Sequence, residues 1–451
     1  MLINRKPDTF AKLAILGGMA GDDILSARDA VPSPNPMLAG PATPRRGPAR
    51  NPVPGVYRAA MPNGKFINLM RVMFTDFCKM DCFYCPNSHW VPRKRFAFTV
   101  DELANAFMEL RRRHAVDGLF LSSGIAGTAS KTTQKLLNVV EVIRKKHGFT
   151  GYIHMKVMPG TDRELVEAAH GLGTRLSVNL ETPTDEMMRR ISTMKDLERD
   201  ILDPMRWVHQ MNRESSGGKV GQATQLVVGA ANESDRDIFQ RIDQLYGELD
   251  LKRVYYSAFR PVRYTPLEEH PGVPIAREHR LYQMDWLKRI YSFSNQEISQ
   301  AFDADGYLDL HRDPKTAIAV ENADAFPVDV NTATREQLLR VPGVGPTSTD
   351  RILKTRGEHS IDTWRDLQAM GVVRKRAWPF LAFPGQRPPT ARQIRLDLFG
   401  ERQPSEPALQ ATAAGHGATP CGVGSTCAGC SLYGAPGHPG SPEMSALAAA
   451  A

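Results

Sequence analysis

The sequence has no apolar run of the ~18 residues that a membrane-spanning helix requires. Its opening residues, MLINRKPDTF, do not lead into the apolar core and small-residue cleavage site of a secretory signal. We therefore expect a cytoplasmic protein with no membrane partner. Cysteine is also scarce, with six in 451 residues. In a reducing compartment, closely spaced cysteines indicate metal or redox sites rather than disulfides.

An excess of acidic charge is absent as well. The formal net charge is +8 and the pI is near 9.1. This balance is compatible with a polyanionic partner, but a solvated, arginine-rich surface explains it equally well. Lysine and arginine end at Arg402, and the remainder is rich in Pro, Ala, Gly and Ser. Such a composition cannot bury a core, so we predict a largely disordered tail.

Apolar, β-branched segments alternate with helical stretches in the first two thirds of the chain. Strands covered by helices on both faces have this composition, and they form right-handed parallel βα units. The pattern predicts an α/β fold, a partial (β/α)6 TIM-like barrel with its reactive loops at the C-terminal ends of the strands. The six predicted strands are residues 67–74, 118–123, 151–157, 175–181, 224–229 and 253–259.

The length allows two or three domains, and composition divides the chain further. The segment KLAILGGMAGDDIL predicts one short helix ahead of a proline-rich linker at 31–54. The predicted segments are an N-terminal extension with this linker (1–60), the barrel (61–300), a connector (301–323), a small all-α domain (324–384) and a mostly disordered tail (385–451).

Three cysteines follow the first predicted strand. Cys78, Cys82 and Cys85 have the spacing Cys-x3-Cys-x2-Cys, with the aromatic Tyr84 just before the last of them. Thiolates suit iron–sulfur clusters and zinc alike. Three thiolates would bind a 4Fe–4S cluster and leave one iron open for a substrate or cofactor. The alternative is a structural zinc site completed by a histidine such as His89, which the spacing, the aromatic residue and the strand context disfavour.

This spacing resembles the signature of the radical S-adenosylmethionine (SAM) superfamily. Over roughly residues 60–384 the chain resembles, more narrowly, the DNA modification/repair radical SAM proteins that carry a C-terminal helix-hairpin-helix domain. The resemblance implies a 4Fe–4S cluster and SAM as cofactors, and reductive cleavage of SAM to a 5′-deoxyadenosyl radical. The blocks that carry it are GLFLSSG, GYIHMKVMPG, RLSVNLETPT, TQLVVGA, RVYYSAFRPV, REHRLYQMDWL and FPVDVNTA with LLRVPGVG.

The resemblance also assigns cofactor contacts to the cysteine segment and the second strand. Tyr84 would contact the adenine of SAM through its backbone. Ser122, Ser123 and Gly124 end the second strand, where the superfamily usually has an acidic residue that contacts the amine of SAM. That acidic residue is missing here, so backbone carbonyls or hydroxyls would replace it.

Further cofactor contacts are implied at the ends of the fourth and fifth strands. Asn179 and Glu181 would hold the ribose or the amine of SAM; the alternative is a polar pair on a surface loop. Gly229 ends the fifth strand, where members of the superfamily pack closely against adenine. The alternative for Gly229 is an ordinary turn glycine.

Polar residues inside otherwise apolar strands supply the catalytic candidates, which are His154, Lys156 and Tyr256. Strand alternation directs half of such side chains into the barrel. A lysine on a buried strand is costly unless it is paired. Lys156 is therefore expected either to face the substrate or cofactor, or to pair structurally with Glu181.

A glycine turn marks the predicted all-α domain. Gly343, Val344 and Gly345 separate two apolar helical stretches, and the turn with the following helix N-terminus resembles a helix-hairpin-helix motif. Such motifs bind DNA phosphates without reading sequence. Arg351 and Lys354 would lie on the second helix, beside the turn. The alternative is a module used only for protein contact.

Two features of the tail point to partners or metals. Leu396–Phe399 resembles peptides that bind bacterial sliding clamps, although Arg395 stands where they usually have Gln. The alternative is a folded edge of the preceding domain. Cys421, Cys427 and Cys430 form a second triplet, which either holds a second metal or consists of reactive cysteines without one.

The leading hypothesis is a radical SAM enzyme that acts on a nucleic acid, in DNA modification or repair. DNA, an electron donor such as flavodoxin or ferredoxin, and a uracil-DNA-glycosylase-like protein are the expected partners, the last by family resemblance. One alternative is an RNA-modifying radical enzyme. Another is a non-catalytic, cluster-containing DNA-binding scaffold for a glycosylase-like partner. The sequence does not identify the atom that is attacked.

Overall fold

The computed structural model of the chain describes residues 8–23, 55–60, 66–215, 219–386 and 388–396. The predicted linker, the tail from residue 397 onward and the second cysteine triplet lie outside the described residues. In chain order, the strands are β1 (Val56–Ala60), β2 (Phe66–Met73), β3 (Gly118–Ser122), β4 (Ile153–Lys156), β5 (Arg175–Ser177), β6 (Gly221–Val228), β7 (Arg253–Ala258), β8 (Val328–Asp329) and β9 (Leu381–Ala382). The helices are α1 (Thr9–Asp23), α2 (Val100–Arg112), α3 (Ala129–Glu141), α4 (Arg163–Leu172), α5 (Asp185–Ile191), α6 (Asp203–Glu214), α7 (Asp235–Leu249), α8 (Ile275–Arg289), α9 (Asn295–Ser299), α10 (Pro314–Glu321), α11 (Arg335–Arg340), α12 (Pro346–Arg356), α13 (Trp364–Ala369), α14 (Arg374–Ala377) and α15 (Ala391–Leu396).

Seven strands form one curled sheet, a half-barrel. Their order in the sheet is their order in the chain; β2 to β7 are parallel, and β1 pairs antiparallel with β2. All six predicted strands are present, which confirms the α/β half-barrel. β1 was missed because its five residues, VYRAA, fall in the predicted N-terminal extension and carry a weak strand signal. No helix among the described residues has the length and apolar composition needed to cross a bilayer.

Helices cover the outside of the half-barrel because each presents an apolar face to the sheet. In α2, Leu103, Phe107 and Leu110 are buried against it, and the helix begins with a capping box between Thr99 and Glu102. Strands β3 and β4 are buried along their whole length, as strands between helices and a filled interior must be. This arrangement sends the loops that follow the strands to one end of the barrel.

The predicted N-terminal helix is present as α1, and it packs on β2, which lies next to the edge strand β1. Leu13 and Leu16 are fully buried there. Gly17 permits a close approach, because a Cβ at this position would stand 2.8 Å from the Cα of Gly55. The helix therefore belongs to the core of the half-barrel rather than to a separate extension.

A second hydrophobic cluster includes residues of α10 to α14. Two turns face each other in it, at Gly343 after α11 and at Gly371 after α13, and both glycines have positive φ angles. The N–H of Val373 donates to the carbonyl of Gly343 at 2.9 Å. From α10, inside the predicted connector, the fully buried Lys315 donates to the carbonyl of Val344 at 2.7 Å. The connector is thus packed into this cluster.

Candidate active site

The C-terminal ends of the parallel strands surround a cavity of about 590 Å³. Cys78, Cys82 and Cys85 all line it from the loop that follows β2, and Cys82 is buried. We call residues 77–90 the cysteine loop. The three thiols therefore meet at the end of the barrel where barrel enzymes carry their reactive groups.

Arg95 fixes the cysteine loop from one side. Its guanidinium donates to four backbone carbonyls, those of Asp76 (2.7 Å), Asn87 (3.0 Å), Ser88 (2.7 Å) and Val91 (2.9 Å). Five donors in a rigid fork make arginine suited to gathering several carbonyls at once. The chain entering and leaving the cysteine loop is thereby held in one conformation.

Asp81 ties the cysteine loop to a second, distant segment of the chain. Its carboxylate accepts hydrogen bonds from the hydroxyl of Ser192 (2.5 Å) and from the N–H (2.8 Å) and hydroxyl (2.6 Å) of Thr193. Burial opposes the ionised form of this carboxylate, but the hydrogen bonds outweigh it and lower the pKa of Asp81. The N–H of Phe83 also donates to the carbonyl of Ile191 at 2.9 Å. The last residue of α5 and the segment after it thus anchor the cysteine loop.

The three residues at the end of the second predicted strand, Ser122, Ser123 and Gly124, differ in whether they reach the cavity. Gly124 and Ser123 line the cavity, whereas Ser122 is buried beside it and its hydroxyl has no hydrogen-bond partner. A Cβ at Gly124 would stand 2.4 Å from the carbonyl oxygen of Phe77, so only glycine allows the two loops to touch. The Ser-Ser-Gly segment therefore supports the cysteine loop by close backbone packing.

Glu181 pairs with a lysine that the sequence did not single out. The Nζ of Lys195 lies 2.9 Å from the Glu181 carboxylate and 3.2 Å from the hydroxyl of Tyr84. Burial would lower the pKa of Lys195, but the negative charges of Cys82 and Glu181 outweigh it and raise that pKa. Glu181 therefore has Lys195 as an ion-pair partner.

Several buried oxygen atoms around the cavity have no hydrogen-bond partner. They are Oδ1 of Asn179, Oε2 of Glu181 and Oε1 of Gln225, and all three side chains line the cavity. Buried acceptors without donors are costly and mark places where a ligand supplies the missing donors. SAM offers an ammonium group and ribose hydroxyls, so these oxygens fit it. Three cavity-lining thiols likewise fit an iron–sulfur cluster with one open iron.

Of the three catalytic candidates, only Lys156 lines the cavity. His154 lies two residues earlier on the same face of β4, where its Nε2 is 2.9 Å from the hydroxyl of Ser177 and its ring packs edge-on against Phe120. Burial, and then the positive charges of Arg175 and Lys156, lower the pKa of His154 well below its ordinary value. The imidazole is therefore neutral and lies beneath the cavity.

Tyr256 and Gly229 do not line the cavity. Ser257 does, so alternation turns the neighbouring Tyr256 to the outer face of β7, where its ring packs edge-on against Tyr282 of α8. Gly229 has a φ of 86° and its N–H donates to the carboxylate of Glu233. This geometry favours the turn-glycine alternative for Gly229.

The zinc alternative for the first cysteine triplet finds no support in the geometry. The Nδ1 of His89 is 3.2 Å from the carbonyl of Met80, and its ring packs against Trp90. Within the described ranges, no group of three or more His, Cys, Asp or Glu side chains is arranged to bind one metal ion. Cysteines of a 4Fe–4S cluster bind different iron atoms and so stand farther apart than the ligands of one zinc ion.

Four basic residues of this region went unpredicted: Arg71, Arg95, Lys195 and Arg260. Arg71 had a detectable signal, because it is a charged residue inside an apolar strand, as Lys156 is. The other three follow strands or helices in ordinary loop sequence, and no spacing or motif marks them. Their roles arise only when distant segments come together.

The predicted DNA-binding residues are divided between the interior and the surface. Gly343, Val344 and Gly345 are buried in the second hydrophobic cluster, and Gly345 is the N-cap of α12. Arg351 and Lys354 are exposed on α12. Contact between these residues and a phosphate stays a prediction, with the exposed side chains as its accessible part.

Residues 72–244 match the family model described as the Radical SAM superfamily. The chain contains a radical SAM domain. Proteins of this superfamily are enzymes that bind a 4Fe–4S cluster and SAM, and these are the cofactors of this domain. The matched span runs from β2 into α7 and includes the cysteine loop, Glu181 and Lys195. No curated protein sequence matches the chain.

Solved structures resemble the radical SAM domain distantly. Methylornithine synthase (PylB) is 16% identical, with a TM-score of 0.36, over 44% of this chain and 54% of its own. A radical SAM methyltransferase from Sphaerobacter thermophilus is 13% identical, with a TM-score of 0.37, over 51% and 69%. HemN from Escherichia coli is 13% identical, with a TM-score of 0.30, over 56% of each chain. The chain spans about half the length of the first of these, and no substrate is transferred at such TM-scores.

Proposed function

We propose that the chain is a radical SAM enzyme whose reaction centre is the cavity lined by Cys78, Cys82 and Cys85. The observation that carries this proposal is the meeting of three thiols and three unsatisfied buried oxygens in one cavity at the C-terminal end of the half-barrel. A zinc-binding structural site needs no such oxygens. A cofactor with an ammonium group and hydroxyls does.

The residues of the cavity have separate tasks in this proposal. Bound together, the two cofactors supply hydrogen-atom abstraction that follows reductive cleavage of SAM. Cys78, Cys82 and Cys85 would hold the cluster, and Asn179 and Glu181 would accept hydrogen bonds from SAM. The surrounding protein orients the cofactors and excludes water, which prevents side reactions of reactive species.

Anaerobic reconstitution with iron and sulfide, followed by product analysis, tests the enzymatic part. With dithionite as reductant, we expect 5′-deoxyadenosine and methionine from the wild-type chain and neither from Cys82→Ala. A reconstituted chain that binds the cluster but never cleaves SAM contradicts the proposal. In that case the scaffold alternative, a cluster-containing protein that only binds DNA, takes its place.

For the substrate we propose a nucleic acid, and DNA modification or repair as the role. The support is the net charge of +8 and the second hydrophobic cluster, where two glycine turns face each other beside exposed Arg351 and Lys354. Helix-hairpin-helix modules combine such turns with basic residues to bind phosphates. RNA modification is the runner-up, because phosphate contacts do not separate the two polymers.

Binding at two salt concentrations tests the substrate class. We expect the full chain to bind DNA with an affinity that falls as salt rises, because phosphate contacts release counterions. Tighter binding to RNA of matched sequence would favour the runner-up. The partners we propose follow from these roles: flavodoxin or ferredoxin as electron donor, a uracil-DNA-glycosylase-like protein, and a sliding clamp at the segment beginning with Leu396.

A further inference from the structure

Basic side chains outnumber acidic ones in the wall of the cavity. Arg71 on β2, Lys156 at the end of β4, Lys195 after α5 and Arg260 after β7 all line it. Among the described residues, Glu181 is the only carboxylate in that wall, and Lys195 holds it at 2.9 Å. The wall thus carries a formal excess of three positive charges. A thiolate-bound cluster and a sulfonium cofactor have charges of opposite sign, so their binding does not remove this excess.

The positive character continues below the cavity. His154 and Lys156 share the inner face of β4, and Arg175 stands beside His154 in the register of β4 and β5. After burial, the charges of Arg175 and Lys156 are what lower the pKa of His154. Burial is the larger cause of the neutral imidazole, and the charges of Arg175 and Lys156 add to it. These two positive charges in the barrel interior favour an anionic ligand.

We propose that the cavity binds a phosphate group of the substrate, with Lys156 as its inner ligand and Arg260 as its ligand at the mouth. Lys156 is only 5% exposed, whereas Arg260 is exposed, so the two mark a path from solvent to the interior. A phosphate that reaches a buried ammonium forms a charge-assisted hydrogen bond in a medium of low dielectric. The inference rests on the nucleic-acid substrate proposed above.

The size of the cavity limits what can carry this phosphate. A volume of about 590 Å³ lies within the range of small-molecule sites and must also accept SAM. A space of this size, which must hold the cluster and SAM as well, does not admit a base-paired duplex. The reacting nucleotide therefore enters unpaired, either from a single strand or after it has been flipped out of a helix.

Fluorescence anisotropy with the full chain, reconstituted anaerobically with its cluster, tests the inference. The probes are a labelled single-stranded DNA oligonucleotide of mixed sequence and the same oligonucleotide with neutral methylphosphonate linkages. The variants are Lys156→Gln, Lys156→Arg and Arg260→Gln. Lys252→Gln is the matched control, because Lys252 is an exposed lysine at the opposite end of the barrel, paired with Asp250 at 2.8 Å.

We expect Lys156→Gln and Arg260→Gln each to weaken binding of the charged oligonucleotide roughly ten-fold, the loss of one charge-assisted hydrogen bond. Each is expected to reduce the slope of log affinity against log salt by about 0.7, the value for one single-strand phosphate contact. Lys156→Arg and Lys252→Gln should bind like the wild type. The neutral oligonucleotide should bind weakly to every variant.

Other outcomes overturn the inference in distinguishable ways. Unchanged oligonucleotide binding in both Lys156→Gln and Arg260→Gln overturns the phosphate-binding inference and leaves the proposed nucleic-acid substrate standing. Because Arg260 is exposed, Arg260→Gln gives this result without affecting folding. SAM affinity is measured in parallel by equilibrium dialysis. If Lys156→Gln loses affinity for SAM and not for the oligonucleotide, Lys156 binds the cofactor carboxylate instead. If the wild type cleaves SAM but binds no oligonucleotide, both the proposed nucleic-acid substrate and this inference are contradicted.

Discussion

Replacing Arg95 with methionine tests whether the cysteine loop must be pre-organised to hold a cluster. The substitution keeps side-chain bulk and removes four hydrogen bonds, to the carbonyls of Asp76, Asn87, Ser88 and Val91. The guanidinium is only half-buried, so water replaces part of the loss, and each bond is worth about 1 kcal/mol. We expect the free energy of unfolding to fall by about 3–4 kcal/mol. We also expect the chain, where still folded, to bind less than half the wild-type iron.

Arg144→Met is the matched control for this prediction. Arg144 also gathers backbone carbonyls, those of Leu172 (3.0 Å), Phe149 (2.7 Å) and Gly151 (2.8 Å), but it does so away from the cysteine loop. Arg144→Met should lower the free energy of unfolding by a similar amount and leave the iron content unchanged. Urea denaturation of the cluster-free chain and iron analysis after reconstitution measure the two quantities. The reasoning is refuted if Arg95→Met retains full iron, or if Arg144→Met loses as much.

Three further predictions concern the same site. The pKa of Asp81 is lowered in the folded chain, so the ionised carboxylate stabilises the fold at pH values above its ordinary pKa of 3.8. This stabilisation is lost as the pH falls through the folded pKa. In Asp81→Asn, this pH dependence of the urea midpoint should disappear. Gly124→Ala should lower the free energy of unfolding by about 1–3 kcal/mol through overpacking, and it should reduce bound iron. Gly171→Ala is the control, because the space around this position in α4 is open. It should leave the free energy of unfolding unchanged or raise it by about 0.4–1 kcal/mol, as measured by thermal denaturation. Lys195→Met should lower the free energy of unfolding by about 3–5 kcal/mol, because it leaves the buried Glu181 without Lys195. The double variant Lys195→Met/Glu181→Gln should regain most of that stability, as a double-mutant cycle would measure.

The strands and the cysteine loop were predictable because their signals are local. A run such as GLFLS is apolar on both faces, and only a strand between helices buries both faces at once. The spacing of Cys78, Cys82 and Cys85 is likewise contained within eight residues. Alternation predicts only that half of the polar strand residues face inward, and it does not say which half. Lys156 and Ser257 line the cavity whereas Tyr256 does not, and this depends on the registers of β4 and β7.

The partners of the site residues were not predictable, because they lie far apart in sequence. Lys195 meets Tyr84 across 111 residues, and Ser192 meets Asp81 across the same distance. Neither contact leaves a trace in spacing or composition. The same holds for the buried turn at Gly343: its sequence indicates a turn, but burial against Val373 follows from the packing of α13 and α14.

One short segment couples the two halves of the candidate site. Ser192 and Thr193 hold the cysteine loop through Asp81, and Lys195, two residues after Thr193, pairs with Glu181, which also lines the cavity. A shift of this segment therefore moves the thiols and the proposed SAM contacts together. Because Glu181 itself has a strained φ of 65°, the ion pair with Lys195 keeps a conformation that the backbone alone disfavours. It follows that the cavity is assembled by tertiary contacts of the segment after α5 as much as by the cysteine spacing, and that variants in this segment should impair cluster binding and SAM binding jointly.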